Sequence, residues 1–183
     1  MPAKTRCLSS QQGSAILMTL MVLLVLSVLG MGIVGVAGME FKISHYDYET
    51  QQAQQAADAG VDWGMENIYQ IFSQAEYLSM ETLPNTLQLD NNETSFNSGA
   101  DTCNVRIEDV VKITQTNSQP GTNTCTYQFK STGQFRGVSK AVTVQVVYTF
   151  MDGYSYNDPN DGTPHFMARS DLQRGKIKSY IKS

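Results

Sequence analysis

The side chains that could do chemistry in this 183-residue chain are few, and their spacing does not suit it. The two histidines, His45 and His165, stand far apart, and the sequence has no Cys-x-x-Cys pair, no phosphate-cradling loop and no Gly-x-Ser-x-Gly turn. Asp152, Asp158 and Asp161, with Asn157, Asn160 and two glycines, offer the oxygen ligands calcium takes. Their spacing misses the D-x-[DN]-x-[DN]-G template, so a turn-forming loop is expected there. His45 among Tyr46, Asp47 and Tyr48 reads as a polar ring just outside a membrane. No catalytic residue, metal or cofactor is expected, and the aromatic residues are assigned to packing. The chain reads as structural rather than enzymatic.

What dominates instead is an element that would position everything else. Between Arg6 and Glu40 there is no charged side chain, and an apolar run begins at Ser14, directly after a short polar leader ending in Gly13. Ser14 to Met39 as a helix is about 39 Å long, against roughly 30 Å of bilayer hydrocarbon. Lys4 and Arg6 precede it and Glu40 follows it, so the positive-inside bias leaves the amino end cytoplasmic and the rest extracytoplasmic. A removable signal peptide is the competing reading, with Gly35-Val36-Ala37 as a small-residue cleavage point. The run is longer than the apolar core such peptides use. Ser27, Gly30, Gly32, Gly35 and Gly38 fill its second half, where small residues permit close helix packing in lipid.

The helical pattern continues past the run. Ile43, Tyr46, Thr50, Ala53, Ala57, Gly60, Gly64 and Ile71 recur with heptad spacing, and no proline intervenes before Pro84. A seam this rich in alanine and glycine buries little area unless another surface comes very close. A single helix from Ser14 to Phe72 would be about 88 Å long and would protrude from any compact domain this chain can build.

The segment QQGSAILMTLMVLLVLSVLGMGIVGVAGME, followed by QQAQQAADAGVDWGMENI, resembles the amino-terminal region of PilX-type minor pilins, within the type IV pilin and pseudopilin superfamily. The resemblance covers roughly residues 10 to 70. It is carried by the basic leader ending in Gly13, the apolar block from Ser14, and Ala56-Ala57-Asp58-Ala59-Gly60-Val61, similar to the Ala-Ala-Glu-Ala-Gly-Leu segment of that family. It implies that a prepilin peptidase cuts between Gly13 and Ser14, and that Ser14 becomes a new, methylated terminus. The leader with Cys7 would then be lost. It also implies a pilin-like fold, with other minor pilins and the major pilin as partners. Most pilins carry glutamate at the fifth residue after the cut, where it neutralises a neighbour's amine. Met18 stands there in this chain, as in subunits placed at a filament tip.

The remaining residues must supply one modest domain of about 110 residues. Residues 74–102 read as a polar loop with at most a short helix or strand. Three period-two segments follow, at Cys103 to Ile113 with Asp109 breaking the series, Thr124 to Lys130 and Lys140 to Phe150. Turn sequences at 117–121 and 133–137 make these an antiparallel meander, and Val61, Met65, Ile68 and Phe72 would cover its apolar face. The expected class is therefore α+β, a long amino-terminal transmembrane helix whose outer half packs on a small antiparallel sheet. The corresponding divisions are a leader (1–13), a membrane segment (14–39), a stalk (40–73), a sheet domain (74–150) and a carboxyl-terminal loop and tail (151–183).

Cys103 and Cys125 form a candidate disulfide that would contribute roughly 3 kcal/mol. A simple hairpin around Pro120-Gly121 would set them about ten residues, or roughly 30 Å, apart and forbid it. Arg169, Arg174, Lys176, Lys178 and Lys182 against Asp171 make the tail basic in a chain of net charge −4. Contact with an acidic subunit is one use and a solvated terminus the simpler reading. Nucleic acid is not an expected partner.

Overall fold

The computed structural model describes residues 9–90, 92–99, 101–116, 121–155, 160 and 162–182. The residues Lys4, Arg6 and Cys7 of the leader, the turn at 117–120, and Asn157, Asp158 and Asp161 lie outside the described residues. The chain divides into two units, Met1–Asp47 and Tyr48–Ser183. One helix, α1 (Ser9–Phe72), runs through both. With no proline in the segment, nothing interrupts its hydrogen-bond ladder.

In the first unit, every residue from Gly13 to Asp47 is exposed. In the second, α1 buries one face formed by Ala53, Ala56, Ala57, Val61, Ile68 and Phe72, whose spacing of three to four residues is that of a helix stripe. After α1 come a short helix, α2 (Ala75–Leu78), and six strands: β1 (Glu93–Ser98), β2 (Asp101–Thr116), β3 (Gly121–Phe135), β4 (Val138–Ser155), β5 (His165–Ser170) and β6 (Lys176–Lys182). They form one antiparallel sheet in the order β1-β2-β3-β4-β5, with β6 also paired to β4. The expected α+β arrangement is the one observed.

β4 follows its period-two pattern closely: Val142, Val144, Val146, Tyr148 and Phe150 are all fully buried, and Tyr148 packs on Phe72 of α1. β3 does the same through Cys125, Tyr127, Phe129 and Phe135. The β3–β4 turn is tighter than the 133–137 connector suggested, because Phe135 pairs with Val138 across Arg136 and Gly137, both with positive φ. A two-residue loop with two left-handed residues matches the strand twist.

Four expectations change. Asp109 does break the β2 series: it sits at φ 56 in a bulge, and the register shifts between Glu108 and Val111. Since one extra residue reverses every later side chain, Val110 turns inward while Val111 and Ile113 are exposed. The loop over 74–102 holds a short helix and a short strand, α2 and β1, close to expectation, but it is not merely polar: it feeds Leu83 and Leu87 into the core, held by Tyr127 Oη donating to the Pro84 carbonyl at 2.6 Å and Leu87 N to the Val110 carbonyl at 3.1 Å. The boundary drawn at residue 150 falls inside β4. The loop and tail expected over 151–183 contain β5 and β6, which share one edge of β4 because β4 is long enough to pair with both.

Candidate functional site

Among the described residues, the apolar part of α1 carries a long run of exposed large apolar side chains. Ile16, Leu17, Met18, Met21, Leu24 and Ile33 are each more than half exposed, and this helix is long and apolar enough to cross a membrane. Two hydroxyls inside it bond back along the helix, Thr19 Oγ1 to the Ile16 carbonyl and Ser27 Oγ to the Leu23 carbonyl, each at 2.8 Å. Neither hydroxyl is left unsatisfied in an apolar surrounding. A side chain added at Gly30, Gly32, Gly35 or Gly38 would meet nothing within 4 Å. Gly13 and Ser14 lie within α1 and are exposed, as is Met18.

The small residues grouped by the sequence therefore separate into two sets. Ala53, Ala57 and Gly60 are consumed within the chain, where α1 lies directly on β3. Ser131 Oγ donates to the Ala57 carbonyl at 2.8 Å, and a Cβ on Gly133 would strike the backbone of Ala53 and Ala57. Gly60 leaves room for Ser131 and Val105, and Gly64 for Phe129. Tyr148 Oη donates to the Met65 carbonyl at 2.9 Å, fixing the next turn of the helix. Among the described residues, Ser27, Gly30, Gly32, Gly35 and Gly38 have no such surface against them.

Cys103 and Cys125 are separate buried thiols. Asn104 pairs with Gln134 while Cys125 pairs with Gln115, so the cysteines stand about nine residues, or roughly 30 Å, apart along β3. The candidate bridge is not formed, for the reason the hairpin geometry anticipates. Burial pushes the Cys125 thiol up to about 11, which keeps it protonated and unreactive.

Two charged sites escape a reading by composition. Arg169, counted with the solvated basic tail, is buried. Its Nε lies 3.2 Å from Asp152 Oδ1, its terminal nitrogens donate to the carbonyls of Tyr77 and Met80 at 2.7 Å, and its guanidinium stacks 4.4 Å from the Phe150 ring centre. Burial raises the Asp152 carboxyl above its ordinary range, and Arg169 only partly offsets this. On the other flank, Asp58 of α1 accepts from Gln54 at 2.8 Å and from Tyr180, and pairs with Lys182 at 3.5 Å. Partial burial raises Asp58, but those hydrogen bonds and the Lys182 charge prevail and hold it below its usual range. Among the described residues, no group of histidine, cysteine and carboxylate side chains could hold a metal ion.

Residues 12–62 match the PilX N-terminal family. The match takes in the Gly13–Ser14 junction, the whole apolar run, and the Ala53, Ala57 and Gly60 contacts on β3. It is consistent with a PilX-type minor pilin and suggests a pilin related to the type IV pilus, anchored in a membrane by α1 and partnered by pilus components. Neither the curated proteins nor the solved structures contain a match to this chain.

Proposed function

We propose that this chain is a minor pilin that takes part in initiating or capping a type IV pilus or pilus-like filament, as a structural subunit and not an enzyme. The observation that carries the reading is the fully exposed apolar segment of α1 lying inside the PilX N-terminal match. Such a helix is stable in two settings, a bilayer and a bundle of similar helices, and a pilin passes from one to the other. In this reading a prepilin peptidase cuts after Gly13, Ser14 is the methylated mature terminus, and the subunit waits in the cytoplasmic membrane with its amino end cytoplasmic. The small residues from Ser27 to Gly38 then pack against the helices of other minor pilins and the major pilin.

Met18 supports the restricted position. An unpaired amine in an apolar surrounding is costly, so a subunit with neighbours above it needs an acid at this place. Met18 offers none, which suits a subunit with no amine above it.

Mass spectrometry of the mature amino terminus tests the reading. Ser14 is expected, and Gly13→Val should leave the precursor uncut. A mature terminus at Gly38 would instead indicate a secreted or membrane-tethered binding module released by signal peptidase, and Met1 a plain anchor. Immunogold label confined to one filament end supports initiation or capping; dense label along the shaft overturns it.

A further inference from the structure

The chain carries one Asn-x-Ser/Thr triplet, Asn92-Glu93-Thr94, and Asp90 stands two residues before its asparagine. An acid, an amide and a hydroxyl on alternate residues form the acid-marked version of the acceptor to which oligosaccharides are joined on extracytoplasmic proteins. Short motifs also recur by chance, so the surroundings decide. Asp90 and Asn92 are both exposed, and among the described residues the Asn92 side chain has no hydrogen-bond partner. The backbone is what holds this residue: its carbonyl accepts from Ile107 N at 2.7 Å, directly before β1. An open depression of about 500 Å³ beside it, bordered by Leu89, Glu108 and Asp109, leaves the amide uncovered and gives a first sugar room. The related triplet Asn123-Thr124-Cys125 fails the same test, because Asn123 is fully buried in β3.

In extended chain, residues two apart share a face, so the Asn92 amide and the Thr94 hydroxyl are presented together. Thr94 is half-buried opposite Val105. β1 is the edge strand of the sheet, and the first residues of an edge strand peel away at small cost. We propose that Asn92 is the attachment site of an N-linked oligosaccharide, delivered from a lipid diphosphate carrier by a membrane transferase. The modification depends on the orientation proposed above, with the residues beyond the membrane segment outside the cytoplasm. In the transfer, Asn92 Nδ2 attacks the anomeric carbon of the first sugar. The N–C bond forms as the C–O bond to the diphosphate breaks, the diphosphate leaves with the bonding pair, and the displaced amide proton passes to a carboxylate of the transferase. Asp90 and the Thr94 hydroxyl are the groups by which the transferase holds the segment. A hydrated glycan here would also shield the edge of β1 from pairing with another chain.

The test is peptide mass spectrometry of the full chain isolated from its own membranes, with external protease applied in parallel to spheroplasts of the same cells. The peptide containing Asn92 is expected to carry the added mass of an oligosaccharide. Asn92→Gln and Thr94→Ala should abolish the addition, Thr94→Ser should retain it, and circular dichroism should be the same in all three. An unmodified Asn92 in a chain whose residues beyond 40 are digested from outside would overturn the inference and leave the orientation standing. An addition that survives Asn92→Gln would overturn it as well. Protection from the protease together with an unmodified Asn92 would overturn the orientation, and the inference with it.

Discussion

Ser131 Oγ donates a 2.8 Å hydrogen bond to the carbonyl oxygen of Ala57, joining two residues 74 positions apart at a buried contact between α1 and β3. A mid-helix carbonyl is reached by a strand side chain only where the two backbones nearly touch. The residues around it are accordingly small: Ala53, Ala57 and Gly60 on the helix, and Gly133 on the strand.

Gly133→Ala should therefore destabilise the second unit by about 2 kcal/mol or more, at the upper end of overpacking costs, because the new methyl group meets backbone that cannot rotate away. Chemical denaturation of the full chain in detergent measures this. A midpoint equal to that of the parent would show that α1 does not sit this close to β3.

Val144→Asp places a charge on the fully buried face of β4, where it has no partner and costs several kcal/mol against a typical total of about 5 to 15. Thr143→Asp, one residue away on the opposite face and opposite Ile181, should be tolerated. Limited proteolysis distinguishes the two, and equal susceptibility would mean that the facing of β4 is wrong.

Arg169→Ala strands Asp152 as an uncompensated buried carboxylate and also frees the carbonyls of Tyr77 and Met80, a loss of about 3 to 5 kcal/mol. Lys178→Ala on β6, in the same basic stretch, should change the thermal midpoint little. If the two substitutions behaved alike, Arg169 would be the solvated charge that composition suggests.

Asp58 sets a pH dependence with a definite sign. Its folded-state pKa lies below the ordinary 3.8, so its stabilising contribution is present above that value and is lost as pH falls through the folded pKa. Amide protection in β6, corrected for intrinsic exchange, should decline in that acid range, and Asp58→Asn should abolish the dependence. Retention of the same profile in the variant would assign the acid response to another group.

The features written most plainly in the sequence are those that depend on a residue's near neighbours. A charge-free run longer than the bilayer is thick announces α1 by length alone. Val142 to Phe150 declares its buried face by alternation, and Val61, Ile68 and Phe72 declare theirs by helical spacing. Asp109 marks a disruption in β2, since a charged residue at an inward position forces the backbone to bulge or the charge to be buried.

Tertiary structure decided whatever depends on residues far apart in sequence. Arg169 looks solvated beside lysines until Asp152, Phe150 and the carbonyls of the 77–81 segment surround it. β6 hides its facing because the register to β4 shifts inside it, setting Ile177, Tyr180 and Lys182 opposite the buried Val146, Val144 and Val142, and its hold on Asp58 crosses 122 positions of sequence. Local spacing fixes which face of an element is apolar, because that follows from backbone periodicity. Which elements meet, and which charges lose their water, follows from how the whole chain packs.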